Sequence, residues 1–385
     1  MKKILLIAVA AVLAIGMVAV GCNGDGNGGE REVITLDFAT FWPSVDFQVD
    51  GGDLYGYDGM GHTAWMDAIT AEVEANTPND ETGYTVEWNT SFATPPPDLW
   101  AGVTGGTIDV ITSGPGYTGG IMPLWEGPEY AAALNRTNAY TMTMTVQELY
   151  DTFAPLQDTM DDAGVKVMHF WSTGPGYFLM VDGEAVTVLE DFPGKKIRTA
   201  NPASVLTVNA LGAEEYSCAM SDAYEALRTG LADGILCPTD TPKGFSLDDF
   251  VTSATFAPFS YQFVFMKVMN PDAWDDLPSV VQDVFNDVNA AWPEYYGQLR
   301  TWGEADGLTH CEENVEDWNY YDPRSTNNTE YQRWVDACVP GLINDWIGDD
   351  ETREWLWGNF TTLDAQMTAD YGDWTPSADP PEPPY

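Results

Sequence analysis

The sequence is poor in positive charge. Its 385 residues include 15 lysines and arginines against 60 aspartates and glutamates, which gives a formal net charge of −45. Proteins that bind nucleic acid neutralise phosphates with clustered basic side chains, and the sequence has no such cluster. The composition therefore excludes a nucleic-acid partner and favours a soluble protein with an acidic surface.

The sequence also lacks the motifs of several enzyme and metal-site classes. No CxxC pair or Cys/His cluster indicates a zinc site, and no G-x-S-x-G motif indicates the nucleophile of an α/β hydrolase. The glycine-rich run SGPGYTGG at 113–120 does not end in the Gly-Lys-Ser/Thr that a phosphate-binding loop requires. We therefore expect no metal, no cofactor and no enzymatic activity.

Only one long hydrophobic run is present, from Ile4 to Val20. It follows two lysines and precedes a glycine and Cys22, which is the pattern of a secretory signal that ends at a lipidated cysteine. A transmembrane anchor is the alternative, but the run of about seventeen residues is shorter than the roughly twenty that span a bilayer. The sequence thus predicts a signal peptide over 1–21 and a flexible tether over 22–32. The exported protein would attach to the membrane through acylated Cys22.

Cysteine is scarce, with five residues in the chain. The four that follow Cys22 form an even set in an exported protein, which indicates disulfide bonds. Cys311 and Cys338 lie in the same C-terminal region and make the better pair. The pairing of Cys218 and Cys237 stays open, because each ends a predicted strand and a third strand is expected between them.

The segment 192–238 has the pattern strand, helix, strand, helix, strand. Its strands are predicted at 196–199, 215–219 and 234–237. Asn201 and Pro202 provide the cap and first turn of the first helix. Such units build parallel sheets, and ligands bind beyond the carboxyl ends of the strands. Arg198 and Asn201 fall at such an end. Arg198 is therefore the first candidate ligand contact, and Asn201 is the second, although capping already accounts for it.

This segment also carries a resemblance to a known family. The runs GKKIR (194–198), LGA (211–213) and SDAYEALRTGLADG (221–234) resemble the signature of DctP-type solute-binding proteins of TRAP (tripartite ATP-independent periplasmic) transporters. The likeness extends from about residue 35 to residue 292. In that family the arginine of the first run pairs with the carboxylate of an organic acid, and the resemblance implies this role for Arg198.

Length and resemblance together predict the fold class and the domains. About 360 mature residues exceed one ordinary core, so two lobes are expected. The resemblance implies an α/β, two-lobed periplasmic-binding-protein-like fold of the type II kind. Each lobe would be a mixed or parallel sheet flanked by helices, and a long helix would link the lobes. The predicted units are 33–171 plus about 262–300 (lobe I), 172–261 plus about 301–345 (lobe II), and 346–385 (a C-terminal helical segment and Pro-rich tail).

Aromatic side chains dominate the segments that the resemblance places at the cleft between the lobes. The predicted contacts besides Arg198 and Asn201 are Phe41, Trp42, Tyr117, Trp125, Trp171, Tyr177, Cys237 and Tyr261. Packing in a lobe core is the alternative for each ring.

Two positions depart from the family pattern. Many relatives carry a second ligand-binding arginine in the turn that is Gly174-Pro175-Gly176 here, and Cys237 stands where relatives often have Asn or Glu. The sequence therefore predicts only one arginine in the cleft. A second carboxylate on the ligand would be buried without a cation, at a cost of several kcal/mol. The expected ligand is a monocarboxylate with an apolar or aromatic body.

The predicted function follows from these observations. The chain is expected to be a periplasmic or cell-surface receptor that is anchored by lipid and delivers a small organic acid to the membrane permease subunits of a TRAP transporter. Two other classes stay open, an exported α/β hydrolase and a surface carbohydrate-binding or adhesive protein.

Overall fold

The computed structural model of the protein describes residues 31–42, 57–77, 83–181, 183 and 185–385. The predicted signal peptide, most of the tether and Cys22 lie outside the described residues. Within the described ranges, no helix combines the length and the apolar character that a membrane span needs.

The described strands form two sheets. In chain order they are β1 (Glu32–Thr40), β2 (Tyr84–Ser91), β3 (Val110–Ser113), β4 (Lys166–Ser172), β5 (Tyr177–Val181), β6 (Lys196–Thr199), β7 (Glu214–Ser217), β8 (Gly234–Cys237), β9 (Val251–Phe256), β10 (Val264–Met269) and β11 (Asn319–Tyr321). The order in the first sheet is β2-β1-β3-β10-β4, and in the second it is β11-β9-β5-β8-β6-β7. We refer to the parts of the protein built on these sheets as lobe I and lobe II.

Both sheets are mixed. In lobe I, β1 pairs in parallel with β2 and β3, whereas β10 runs antiparallel to β3 and β4. In lobe II, β6 pairs in parallel with β7 and β8, and β5 runs antiparallel to β8 and β9. The chain leaves lobe I after β4, returns to it at β10 and leaves it again before β11. Strand β6 separates β7 from β8, as the sequence predicted.

Helices cover the sheets on the faces where their apolar residues are buried. Within the described residues they are α1 (Tyr57–Asn76), α2 (Pro96–Thr104), α3 (Ala139–Thr152), α4 (Ala154–Asp162), α5 (Pro202–Ala210), α6 (Ala223–Arg228), α7 (Thr241–Gly244), α8 (Pro271–Asp275), α9 (Ser279–Asn314), α10 (Pro323–Thr326), α11 (Asn328–Ile347) and α12 (Glu351–Tyr371). The segment Gly127–Leu134 is a 3-10 helix. The arrangement is the two-lobed α/β fold expected from the sequence.

The 36-residue helix α9 links the two lobes. It packs against α1, α3 and β4 of lobe I, with Val284, Phe285 and Val288 buried on one face. Further along, the backbone carbonyl of Glu304 accepts a hydrogen bond of 2.9 Å from Thr239 Oγ1, which follows β8 of lobe II. One continuous helix therefore packs in the core of lobe I and contacts the residues that follow β8 in lobe II.

Proline and glycine shape two of the helical regions. Helices α3 and α4 are separate because the chain breaks at Phe153 and Pro155 lies at the start of α4. Helix α1 begins at Tyr57 and includes Gly59 and Gly61. A Cβ at Gly61 would lie 2.6 Å from Cζ of Tyr296, so this glycine allows α1 to pack closely on α9.

Candidate ligand-binding site

A cleft of about 470 Å³, partly open to solvent, lies between the two lobes. The residues that line it come from both sheets, from α9 and from the crossing segments. They are Phe41, Trp42, Tyr57, Tyr117, Thr173, Met220, Cys237, Pro238, Asp240, Thr241, Gly244, Phe245, Tyr261, Phe265 and Arg300. Five of the ten predicted contacts are in this set, namely Phe41, Trp42, Tyr117, Cys237 and Tyr261.

The lobe I wall of the cleft is aromatic. The rings of Phe41 and Trp42 stack with centroids 3.8 Å apart, and Phe265 meets Trp42 edge-on at 4.7 Å. Tyr117 stands across Phe41 at 5.2 Å in a T-shaped arrangement. Each such ring pair adds about 0.5–1.5 kcal/mol beyond area burial. The wall therefore offers preformed faces for an apolar or aromatic ligand body.

Arg198, on β6, is buried just behind this wall, with 1% of its surface exposed. Its Nε and Nη2 donate hydrogen bonds of 3.1 and 2.7 Å to the backbone carbonyl of Cys218. The titratable groups around it are the hydroxyls of Tyr117 and Tyr261 and the thiols of Cys218 and Cys237. No carboxylate among the described residues forms an ion pair with it.

The position of Arg198 differs from the sequence prediction in one respect. The guanidinium does not itself line the cleft among the described residues, but three of its neighbours do, namely Tyr117, Cys237 and Tyr261. Burial raises the pKa of Tyr117, while the charge of Arg198 acts in the opposite direction. The arrangement is a buried cation with tyrosine hydroxyls and thiols around it instead of a counter-ion.

Asn201 has a structural role in which both the oxygen and the nitrogen of its side-chain amide make hydrogen bonds. Its Oδ1 accepts a hydrogen bond of 2.9 Å from Ser204 N, which caps α5, and its Nδ2 donates one of 2.8 Å to the backbone carbonyl of Gln262. Asn201 thereby fastens lobe II to the segment that returns to lobe I, and it does not line the cleft. The capping role that the sequence indicated is confirmed.

Three predicted aromatic contacts pack in the core instead. Trp125 stacks on Phe170 at 4.2 Å, and its Nε1 donates a hydrogen bond of 3.1 Å to the carbonyl of Leu156. Trp171 stacks on Tyr296 at 4.3 Å, and Tyr177 packs against Phe256 at 4.7 Å. These rings lie on strands or turns near the cleft, but their side chains face the packed layers.

The expectation that only one arginine approaches the cleft is wrong. Arg300, on α9, lines it and forms an ion pair with Asp240, with 2.6 Å between Nη1 and Oδ2. The signal was present in the sequence, because Arg300 is the one arginine or lysine between positions 279 and 314. It follows Trp292 and Tyr296 at intervals of four, on the buried face of the helix.

The turn where relatives often place a second arginine is filled by another side chain. A Cβ at Gly174 would overlap the carboxyl group of Glu304 on α9. Glu304 is buried, and burial raises its pKa well above the usual value, with the charge of Asp240 acting in the same direction. An alanine at position 174 would therefore require the buried carboxyl group of Glu304 to move.

The predicted disulfide between Cys311 and Cys338 is wrong in this structure. The four described cysteines are free thiols. Cys338, on α11, lies with its Sγ 3.8 Å from the carbonyl of Thr207 on α5, whereas Cys311, on α9, is near Asp248. Burial raises the pKa of both thiols to about 12. The two cysteines lie in the same region of the sequence, but their side chains have different surroundings in the structure.

The described part of the chain contains no group of three or more His, Cys, Asp or Glu side chains placed to hold a metal ion. The candidate site is thus a cleft between two lobes with an aromatic wall, a buried arginine behind it and an arginine–aspartate pair in its lining. This combination is the architecture of a two-lobed solute-binding protein.

Comparison with known proteins identifies the family. Residues 93–340 match the family DctP, described as bacterial extracellular solute-binding protein, family 7. The chain therefore belongs to this family. It is a solute-binding protein, and the expectation that it is not an enzyme is confirmed.

One curated relative and two solved structures illustrate the similarity. The C4-dicarboxylate-binding periplasmic protein DctP of Rhodobacter capsulatus is 30% identical over 129 residues, which cover 33% of this chain and 38% of that protein. The match thus spans well under half of the relative's length. A TRAP solute-binding protein of Rhodoferax ferrireducens in complex with copurified benzoate superposes with a TM-score of 0.71, at 19% identity, over 88% of this chain and 99% of that chain. Another, from Bordetella bronchiseptica with bound (R)- and (S)-mandelate, gives a TM-score of 0.73, at 18% identity, over 87% and 99%. These two structures establish the fold.

Proposed function

We propose that this protein is the extracytoplasmic receptor of a TRAP-type transporter, and that it binds a small organic monocarboxylate with an apolar or aromatic body. The observation that carries the proposal is Arg198, which is buried beside the cleft without an ion pair among the described residues. A buried charge without a counter-ion is costly, because the interior solvates it poorly. A ligand carboxylate would supply the missing anion.

Ligand binding and closure of the lobes would then be coupled. Tyr117 and Tyr261 line the cleft and neighbour the guanidinium, so movements of their side chains would give a carboxylate access to Arg198. A guanidinium binds a carboxylate with two parallel hydrogen bonds, which fixes the orientation of the ligand. Such differential binding favours the closed arrangement of the lobes.

The apolar body of the ligand is proposed from the aromatic wall. Phe41, Trp42 and Phe265 present stacked and edge-on rings to the cleft. The two structural neighbours with bound benzoate and mandelate are consistent with a ring in this position. The curated relative, which binds C4-dicarboxylates, represents the competing ligand class.

The location and partners follow from the same proposal. The receptor would be exported by the signal peptide over 1–21 and anchored to the membrane through acylated Cys22. It would pass its ligand to the permease subunits of the transporter. We propose no nucleic-acid partner, metal or cofactor for this receptor.

The test is a ligand screen on protein purified without denaturation. Mass spectrometry of the copurified small molecule identifies a natural ligand, and a thermal-shift screen compares monocarboxylates with dicarboxylates, with and without EDTA. We expect aromatic monocarboxylates to give the largest stabilisation. Greater stabilisation of the EDTA-treated protein by dicarboxylates would overturn the proposed ligand class.

A further inference from the structure

The cleft is also lined by an ion pair within the protein, formed by Asp240 and Arg300. Asp240 follows β8 and Arg300 lies on α9, and both line the cleft. Their side chains are 3% and 5% exposed, and Asp240 Oδ2 lies 2.6 Å from Arg300 Nη1. The cleft is therefore lined by one guanidinium that already pairs with a carboxylate, Arg300, while Arg198 lies behind the lining residues without an ion pair among the described residues.

Asp240 retains capacity to accept hydrogen bonds. Its Oδ1 accepts one of 3.2 Å from Thr241 Oγ1, and its Oδ2 makes the ion pair but accepts no hydrogen bond in the described part of the chain. A carboxylate has about four lone-pair positions. Since Thr241 also lines the cleft, the two residues form a polar strip on the lobe II side of the cleft.

The surroundings of this strip are acidic. Glu304 is buried next to the pair, and its Oε1 has no hydrogen-bond partner in the described residues. Burial and the charge of Asp240 raise the pKa of Glu304, while Arg300 acts in the opposite direction. An incoming anionic group would face the oxygen atoms of both carboxyl groups, and the guanidinium of Arg300 already pairs with Asp240.

We propose that Asp240 determines ligand specificity by accepting a hydrogen bond from a hydroxyl or amine group on the ligand body, and that the Asp240–Arg300 pair excludes a second carboxylate at this position. This inference rests on the proposed function, in which Arg198 binds the ligand carboxylate. Cys237 lines the cleft together with Asp240, and the charge of Arg198 acts to lower the pKa of its thiol, against the effect of burial.

The test uses one molecular skeleton with different substituents. Calorimetry measures the dissociation constants of phenylacetate and of its ring-hydroxylated, ring-aminated and ring-carboxylated derivatives. We expect the best-placed hydroxyl or amino derivative to bind about tenfold more tightly than phenylacetate, as one hydrogen bond to a charged group provides. The carboxylated derivatives should bind more weakly than phenylacetate.

The decisive variant is Asp240→Asn. It should reduce the preference for the donor group, measured as the ratio of the two dissociation constants, to about twofold or less. Asp248→Asn is the matched control, because Asp248 pairs with His310 away from the cleft; it should leave the preference unchanged. If circular dichroism shows that Asp240→Asn does not fold, the double variant Asp240→Asn/Arg300→Gln, which removes both charges, provides the same comparison.

The outcomes separate this inference from the function on which it rests. Arg198→Lys should weaken every compound by a similar factor and leave the preference intact, and its failure to do so counts against the proposed function. A preference that persists in the Asp240 variants, or that is absent from the wild type, overturns the inference alone. Absence of binding by the whole series overturns both.

Discussion

The carbonyl oxygen of Cys218 accepts two hydrogen bonds from the guanidinium of Arg198, one from Nε and one from Nη2. These two hydrogen bonds join the residue that follows β7 to strand β6, and they fix the plane of the guanidinium. Two of the five N–H groups of Arg198 are thereby used by the protein. The orientation of the cation is thus set before any ligand arrives, which lowers the cost of ordering on binding.

Replacing Arg198 by lysine should weaken ligand binding about ten- to a hundredfold, or roughly 1.5–3 kcal/mol. An ammonium group keeps the charge but cannot make the planar two-point contact, and it cannot hold the Cys218 carbonyl in the same way. Calorimetry measures the change. Arg228→Lys, at an exposed pair with Glu225, is the control and should bind like the wild type. An unchanged affinity for Arg198→Lys would show that this residue is structural.

Replacing Gly174 by alanine should destabilise the protein by about 1–3 kcal/mol, because the new methyl group overlaps the buried carboxyl of Glu304. Urea unfolding measures the loss. Gly119→Ala is the matched control, since a Cβ at that position would meet no atom within 4 Å. In a Glu304→Ala background the cost at position 174 should largely disappear. A cost that is the same in both backgrounds would contradict the overlap.

Glu129 should make stability depend on pH. It is 1% exposed, and burial raises its pKa well above the usual 4.5, although the backbone N–H groups of Val264 and Gly116 act in the opposite direction. Above pH 4.5 the unfolded chain has lost a proton that the native protein keeps. The stabilisation present below pH 4.5 is therefore lost as pH rises toward the folded-state pKa, by about 1.4 kcal/mol per pH unit.

The variant Glu129→Gln isolates this contribution from those of the other carboxylates. As pH rises above 4.5, the free energy of unfolding of the wild type should fall more steeply than that of the variant. Glu87→Gln, on an exposed position of β2, should retain the wild-type slope. Parallel curves for Glu129→Gln and the wild type would show that Glu129 is ionised in the native protein.

Cys311 and Cys338 should be free thiols. Digestion without reductant, followed by alkylation and mass spectrometry, should recover each cysteine in a separate, alkylated peptide. The reason is the different surroundings of the two sulfur atoms, near Asp248 and near the carbonyl of Thr207 respectively. Recovery of one cross-linked peptide would restore the disulfide that the sequence alone favoured.

Replacing Cys22 by serine should release the protein from the membrane fraction, because acylation requires the thiol. Fractionation and immunoblotting measure the distribution between membrane and soluble fractions. If the altered protein remains in the membrane with its N-terminal segment uncleaved, then that segment is a transmembrane anchor.

The strand and helix pattern around Arg198 could be predicted because its signals are local. The predicted strands at 196–199 and 234–237 agree with β6 and β8. Asn201 caps α5, and Gly212 and Gly230 follow the two helices with φ of 88° and 69°, where other residues are strained. Each of these features depends on residues within a few positions of one another.

The rest of the site depends on contacts between distant segments. Gly61 lies inside α1, and Tyr296 of α9 occupies the space where a Cβ would stand. Arg300 comes to the cleft only because α9 reaches from one lobe to the other, and Glu304 fills the turn at Gly174 for the same reason. The helical periodicity places Arg300 on a buried face of α9, but neither it nor the family pattern shows that this face reaches the cleft.

The continuity of α9 has a consequence for the evolution of the receptor. Each residue of an α-helix turns the next by about 100° and advances it by about 1.5 Å. A single deletion between Tyr296 and Arg300 would therefore rotate Arg300 and Glu304 away from the cleft while the earlier part of the helix stayed in place. Substitutions can change the ligand preference one side chain at a time. An insertion or deletion in α9 would instead move Arg300 and Glu304 to another face of the helix, so the number of residues between the two lobes is constrained.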